Sequence, residues 1–397
     1  MNKLSYIELI AKGEPFRLLF PLGTLLAICG TLIWPLFALG WLTAYPAAAH
    51  SGIIIQCFLT AFVIGFLGTA LPRLLDVRRI GLGPSVFFSA LLIVLCGLHL
   101  GGWQTAAHGI HATTLLSFIA LLISRARQRN DLPPPAFTLV AGGLLCGLIG
   151  SILMAIDGFR VADGGLPEWL FALARLLGWQ GFLLLPIMGI GAFLLPRFFG
   201  LENRQSFPEM MLPSREWTLR ACFAMLCGLT VIVGFLSEAL GYSRIGYGLR
   251  AIAILFYFVR EIPFHRAKDA SGALALGLKL ALSAIPLGYV IGALLPAYRI
   301  AVLHVVLLTG FGLLTFIVAS RVLLGHSGQS HLFRAPLKAI YTLVILTLLA
   351  LALRIGADFT GQYRFALYGL SGGAWVAGIV IWAAALLPNV CRPDTED

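Results

Sequence analysis

Five of the eight histidines, His50, His99, His108, His111 and His304, fall within or at the edge of long apolar runs. An imidazole there is costly unless it is hydrogen-bonded, paired or ligated, so polar groups in such runs are candidate sites. Imidazole commonly holds haem iron, copper and zinc, and ligation is the chemistry this set can do. His108 and His111, three apart on one helix face, fit either half of a metal site or a wetted helix cap beside Gly101, Gly102 and Trp103. His50 and Cys57 are seven apart and also share a face. Arg175 and Arg299 can clamp carboxylates such as haem propionates through forked hydrogen bonds, or can anchor helix ends by snorkelling. Glu238, Arg250 and Lys279 fit a buried charge pair or a proton path, and no spacing links them. The seven cysteines mostly sit in apolar runs without a C-x-x-C pair, which reads as reduced packing residues. Motifs for nucleotide hydrolysis, serine-type acyl transfer and zincin chemistry are absent from the sequence.

Such side chains need helices in a membrane to position them. The 397 residues are 59% hydrophobic and 11% charged, with mean hydropathy +0.93, whereas soluble proteins spend about a quarter of their residues on charge. A water-soluble fold is excluded. Apolar runs near 17–40, 50–71, 84–103, 107–124, 137–156, 170–196, 218–240, 245–259, 273–296, 299–320, 337–355 and 365–388 predict twelve transmembrane helices in one domain, 17–388. The expected fold class is all-α and polytopic. Segment 1–16 carries Lys3 and Lys12 but no cleavage signal, so a short surface helix is expected rather than a signal peptide; residues 389–397 form a tail.

A net charge of +11 would suit nucleic acid or acidic lipid, but the distribution of the charges argues otherwise. Most of the 28 Lys and Arg fall at the N-terminus, in every second loop and at the C-terminus, while the opposite side holds only Arg160, Arg244, Arg299, Arg354 and Arg364. That bias predicts both termini in the cytoplasm of a multi-pass inner-membrane protein whose partner is the bilayer, with no nucleic acid. Odd helices then run outward, the five histidines gather in the outer half, and His265, His326 and His331 lie in cytoplasmic loops. Trp34, Trp41, Trp103 and Trp169 read as an aromatic belt at the outer interface.

The stretch from Gln56-Cys57-Phe58-Leu59 to Leu71-Pro72-Arg73 overlays Gln180-Gly181-Phe182-Leu183 to Leu195-Pro196-Arg197 at an offset of 124 without a gap. A second step of 124 takes Gln180 to His304 and Arg197 to Arg321. The twelve helices therefore divide into three groups of four, about 17–136, 137–270 and 271–388, with the second, sixth and tenth equivalent. The recurring Arg neutralises a helix C-terminal dipole and anchors the span. A parallel threefold repeat differs from the inverted repeats of many secondary transporters.

Three motifs carry a resemblance: Glu14-Pro15-Phe16-Arg17-Leu18-Leu19-Phe20-Pro21-Leu22-Gly23, then Gly65-Phe66-Leu67-Gly68-Thr69-Ala70-Leu71-Pro72-Arg73, then Arg321-Val322-Leu323-Leu324-Gly325-His326-Ser327-Gly328. Over nearly its whole length the chain resembles the NnrS family. The resemblance implies a bacterial inner-membrane protein that binds haem and copper and is associated with denitrification, nitric oxide and nitrosative stress. Many family members carry W-H-x-H-E-M at the second helix, where this chain has Ala49-His50-Ser51-Gly52-Ile53-Ile54 with only the first His, so haem carries over more fully than copper.

A more distant similarity, to the catalytic subunits of haem–copper oxidases and nitric oxide reductases, implies a b-type haem held by His50 and His304, with Arg175 and Arg299 on its propionates. The sixth and seventh helices offer no His for a copper partner. His304 aligns with Gln56 rather than His50 in the repeat, a depth difference of ~9 Å, so His99 or His111 is the alternative partner; His108 and His326 complete the metal candidates. The competing function is a small-solute or metal-complex transporter without haem, using Glu238, Arg250 and Lys279.

Overall fold

The computed structural model describes residues 5–393, so Lys3 and the end of the tail, 394–397, lie outside the described residues. Among the described residues every regular element is helical. Eleven helices are long and apolar enough to cross a membrane: α1 (Phe16–Ala38), α2 (Ala47–Leu74), α3 (Leu82–Leu100), α4 (Gln104–Ala126), α5 (Phe137–Phe159), α6 (Glu168–Phe198), α7 (Arg215–Ala239), α9 (Ala273–Leu294), α10 (Pro296–Gly325), α11 (Lys338–Phe359) and α12 (Gly361–Cys391). The remaining expected span exists as a 19-residue helix, α8 (Ser243–Glu261). Its Arg244, Arg250, Arg260 and Glu261 make it less apolar than the others, but Arg250 and Glu261 are buried between neighbouring helices rather than turned to lipid. Charges inside a membrane bundle are tolerated in this way, facing the interior and paired.

The expected N-terminal surface helix is the short turn Tyr6–Ala11, capped reciprocally by Ser5 and Glu8. It is seated rather than free, because Leu9 and Ile10 are buried and the Tyr6 hydroxyl donates to the Arg17 carbonyl at 2.7 Å.

Consecutive helices pack side by side, and α12 returns to pack on α1, closing a ring. Inside the ring α2, α6 and α10 are the most enclosed, with 78, 72 and 67% of their apolar windows buried, whereas α4 and α11 fall to 33 and 28%. Aromatic contacts join the inner helices, as where Phe58 of α2 stacks on Phe316 of α10 at 5.5 Å. The contact between α5 and α6 depends on glycine. A Cβ at Gly150 would stand 2.6 Å from the Gly178 backbone nitrogen, and small residues permit such close approach in membranes.

Each inner helix contains a π-helical stretch: Ile53–Leu59 in α2, Leu177–Gly181 in α6 and Val305–Gly312 in α10. A π turn inserts a residue and frequently marks a functional site. In α2 the Thr60 hydroxyl donates to the Ile55 carbonyl at 3.1 Å, adding a side-chain bond to the backbone of the widened turn.

Both described ends of the chain meet at one end of the bundle. The fully buried Arg17 donates to the carbonyls of Val390 and Arg392 at 2.6 and 2.7 Å and to that of His326 at 3.0 Å. This is the basic end of the molecule; the candidate histidines of α2, α3, α4 and α10 lie toward the other.

Candidate functional site

At the end away from the termini a cavity of about 610 Å³ opens among α1, α2, α4, α6, α10, α11 and α12, within the range of cofactor-sized pockets, about 300–1,000 Å³. His50, His108, His304, Arg175 and Arg354 line it together with Trp34 and Tyr368.

Two of these imidazoles are held alike. His50 Nδ1 is 2.8 Å from the carbonyl of Gly30 on α1, and His304 Nδ1 is 2.7 Å from the carbonyl of Ile300, one turn earlier on α10. A carbonyl only accepts, so each Nδ1 carries the proton and each Nε2 keeps its lone pair. This tautomer is the one suited to binding a metal through Nε2, and the carbonyl bond fixes the ring and raises its basicity. Trp34 meets the His50 ring edge-on at 6.0 Å and Tyr368 at 4.9 Å, closing that side with aromatic surface.

The arginines stand around the same space. The Arg175 guanidinium lies over the Trp179 ring, 4.3 Å from its centroid, and among the described residues no carboxylate pairs with it. Arg354 donates to Asp358 Oδ1 at 2.9 Å and lies 4.4 Å from the Tyr368 ring centroid, while the Tyr368 hydroxyl donates to the same Asp358 oxygen at 3.1 Å. Arg299 is exposed at the start of a helical turn of α10 and does not line the cavity. Arg354 entered the sequence reading only as a far-side charge. Its signal there was the Arg354-x-x-x-Asp358 spacing at a helix end, which fixes a guanidinium by an i, i+4 ion pair.

The other histidines are hydrogen-bonded. His99 is fully buried, with Nε2 3.0 Å from Gln56 Oε1 and Nδ1 2.7 Å from Gln104 Oε1. Gln56 also reaches His108 Nδ1, 3.1 Å from its Nε2, so His108 meets the cavity with that nitrogen engaged. A Cβ on Gly52 would stand 2.3 Å from the His99 ring, which is why a glycine sits there. His111 bridges Thr60 Oγ1 at 3.1 Å and Ser151 Oγ at 2.7 Å. With the Thr60 hydrogen already given to Ile55, His111 Nε2 donates to Thr60 and Nδ1 accepts from Ser151. Both nitrogens are used, joining α4 to α2 and α5.

His326 lies at the basic end, where its Nδ1 is 2.6 Å from Glu14 Oε1. Glu14 also accepts from Arg17 Nε at 2.5 Å and from Arg73 at 2.7 Å. Burial pushes the Glu14 carboxyl upward, but the hydrogen bonds and charges of His326 and Arg17 prevail and bring it down to about 2. Among the described residues no group of three or more His, Cys, Asp or Glu is arranged to hold a metal ion.

Gln180, the offset match of Gln56, likewise gathers a network. Its Oε1 accepts from Arg250 at 3.1 Å and from the Tyr289 hydroxyl at 2.9 Å. The buried Arg250 pairs with Glu238 and stands over the rings of Tyr247 and Tyr289. Lys279 does not join this pair. It donates to the carbonyls of Ala267 and Ala270 at 2.7 and 3.4 Å, near the opposite end of the bundle.

No curated protein matches the chain. The family described as NnrS protein matches residues 12–393.

Proposed function

The chain belongs to the NnrS family, and from that premise we propose that it is a haem-binding inner-membrane protein of the bacterial response to nitric oxide and nitrosative stress, linked to denitrification. The observation carrying this reading is the pair of imidazoles, His50 and His304, each held through Nδ1 by a carbonyl and each lining one 610 Å³ cavity. The donor set fits a b-type haem held through two Nε2 atoms. When bound, haem supplies an iron that takes part in electron transfer or binds nitric oxide. The protein's own residues orient and insulate the site: the Gly30 and Ile300 carbonyls fix the ligand tautomers, Arg175 and Arg354 offer guanidinium groups to propionates, and Trp34 and Tyr368 exclude water. Arg299 remains available at the outer rim. Copper is assigned to no residues.

We read the helices as three parallel units, about 17–136, 137–270 and 271–388, with both termini cytoplasmic. Supporting this are the π stretches in α2, α6 and α10, the place of Gln56 and Gln180 within two of those stretches, and the meeting of the chain ends at the basic end. Transport through Glu238, Arg250 and Lys279 has less support, since Glu238 and Arg250 pair with each other and Lys279 stands apart.

The test is an absorption spectrum of protein purified in detergent after expression with ample haem. A Soret band with a six-coordinate low-spin signature is expected, and His50→Ala and His304→Ala are each expected to abolish that signature. Absence of the band overturns the haem reading; a variant that keeps the signature removes that histidine as a ligand.

A further inference from the structure

Cys29 and Cys96 are 67 residues apart in sequence, yet their Sγ atoms lie 3.9 Å apart. Both are free thiols. α1 and α3 run in the same direction, and each cysteine stands nearly four turns into its helix, so the meeting follows from the register of the two helices. Cys57 of the intervening α2 is fully buried and, among the described residues, has no hydrogen-bonded sulfur partner. A disulfide needs an S–S distance of about 2.05 Å, so closure asks for about 2 Å of approach.

We propose that the Cys29–Cys96 dithiol is a modification site at which a small, uncharged two-electron oxidant, soluble in the membrane, closes a disulfide between α1 and α3. The half-buried Cys29 is the approachable sulfur and the buried Cys96 the resolving one, an arrangement that favours reagents able to enter hydrocarbon over charged ones. With a diazene the reaction balances: two S–H bonds break, one S–S bond forms, and both hydrogens with their electrons pass to the N=N bond, giving the hydrazine. The site adjoins the cavity through its neighbours. Gly30, directly after Cys29, provides the carbonyl that holds His50, and Cys96 lies one turn before His99, which binds Gln56 and through it His108. Closing the bond pulls on the supports of two cavity histidines, and the thiol chemistry itself stands independently of any haem.

The test treats the full chain in its membranes with diamide, an uncharged diazene, followed by alkylation of remaining thiols and peptide mass spectrometry. The expected product is a peptide pair linking Cys29 to Cys96, two hydrogens lighter than the reduced pair and within one chain. Cys57→Ser is expected to retain the link and Cys29→Ser to lose it. The exposed Cys222 and Cys391 report that the reagent has acted. The proposal is overturned if Cys29 and Cys96 remain fully alkylatable after those two have reacted, or if Cys29 is recovered bound to Cys57.

Discussion

At the scale of single residues, the far-end histidines divide by what their second nitrogen does. His111 gives one nitrogen to Thr60 and the other to Ser151, so His111→Ala strands the buried Ser151 hydroxyl, while Thr60 keeps its bond to Ile55, and is expected to cost about 1–3 kcal/mol, read as a lower midpoint of thermal unfolding in detergent. Among the described residues, His304 returns its one side-chain hydrogen bond to its own helix. His304→Ala is therefore expected to leave the midpoint of the haem-free protein almost unchanged while haem retention falls, and the two variants together separate a packing histidine from a ligand. The depth of each histidine was legible in the sequence from its place along an apolar run. Its partners were not. Gly30 offers His50 a backbone carbonyl, which no residue type announces, and Arg354 reaches the cavity from a helix more than 300 residues further along the chain than His50.

Among the elements, the apolar helices were legible because lipid demands long runs of one kind of residue, and α8 is the instructive exception. Its charges disqualify it by composition, yet it packs between α7 and α9 because Arg250 finds Glu238, Gln180 and two tyrosine faces. Removing one member leaves the other charge unpaired in the bundle. Arg250→Met is expected to cost about 3–5 kcal/mol, and the double change Glu238→Gln with Arg250→Met to recover much of it, as a double-mutant cycle by thermal unfolding would measure. The π stretches lay beyond sequence reading, since an added residue in a helical turn leaves the apolar pattern almost intact. Gln56 and Gln180 match in the sequence at an offset of 124, but their bonds run to α3 and α4 in one case and to α8 and α9 in the other.

Across the whole molecule, the Glu14 cluster joins the start of α1, the end of α2 and the segment after α10, and its residues come from the three motifs that carried the family resemblance. Because folding lowers the Glu14 carboxyl from its ordinary 4.5 to about 2, its contribution is fully present above 4.5. That contribution drains away as pH falls through this window toward 2. Unfolding midpoints measured across the window are expected to fall more steeply for the wild type than for Glu14→Gln, which lacks the titrating group.

Arg17 carries a consequence for biosynthesis. It belongs to α1, yet two of the four groups that its guanidinium bonds among the described residues, the carbonyls of Val390 and Arg392, are made more than 370 residues later. Until α12 is made, the Arg17 guanidinium lacks two of the carbonyls that satisfy it in its buried place. Shortening the chain before Val390 is expected to leave a membrane-inserted but protease-sensitive product, detectable by limited proteolysis of isolated membranes.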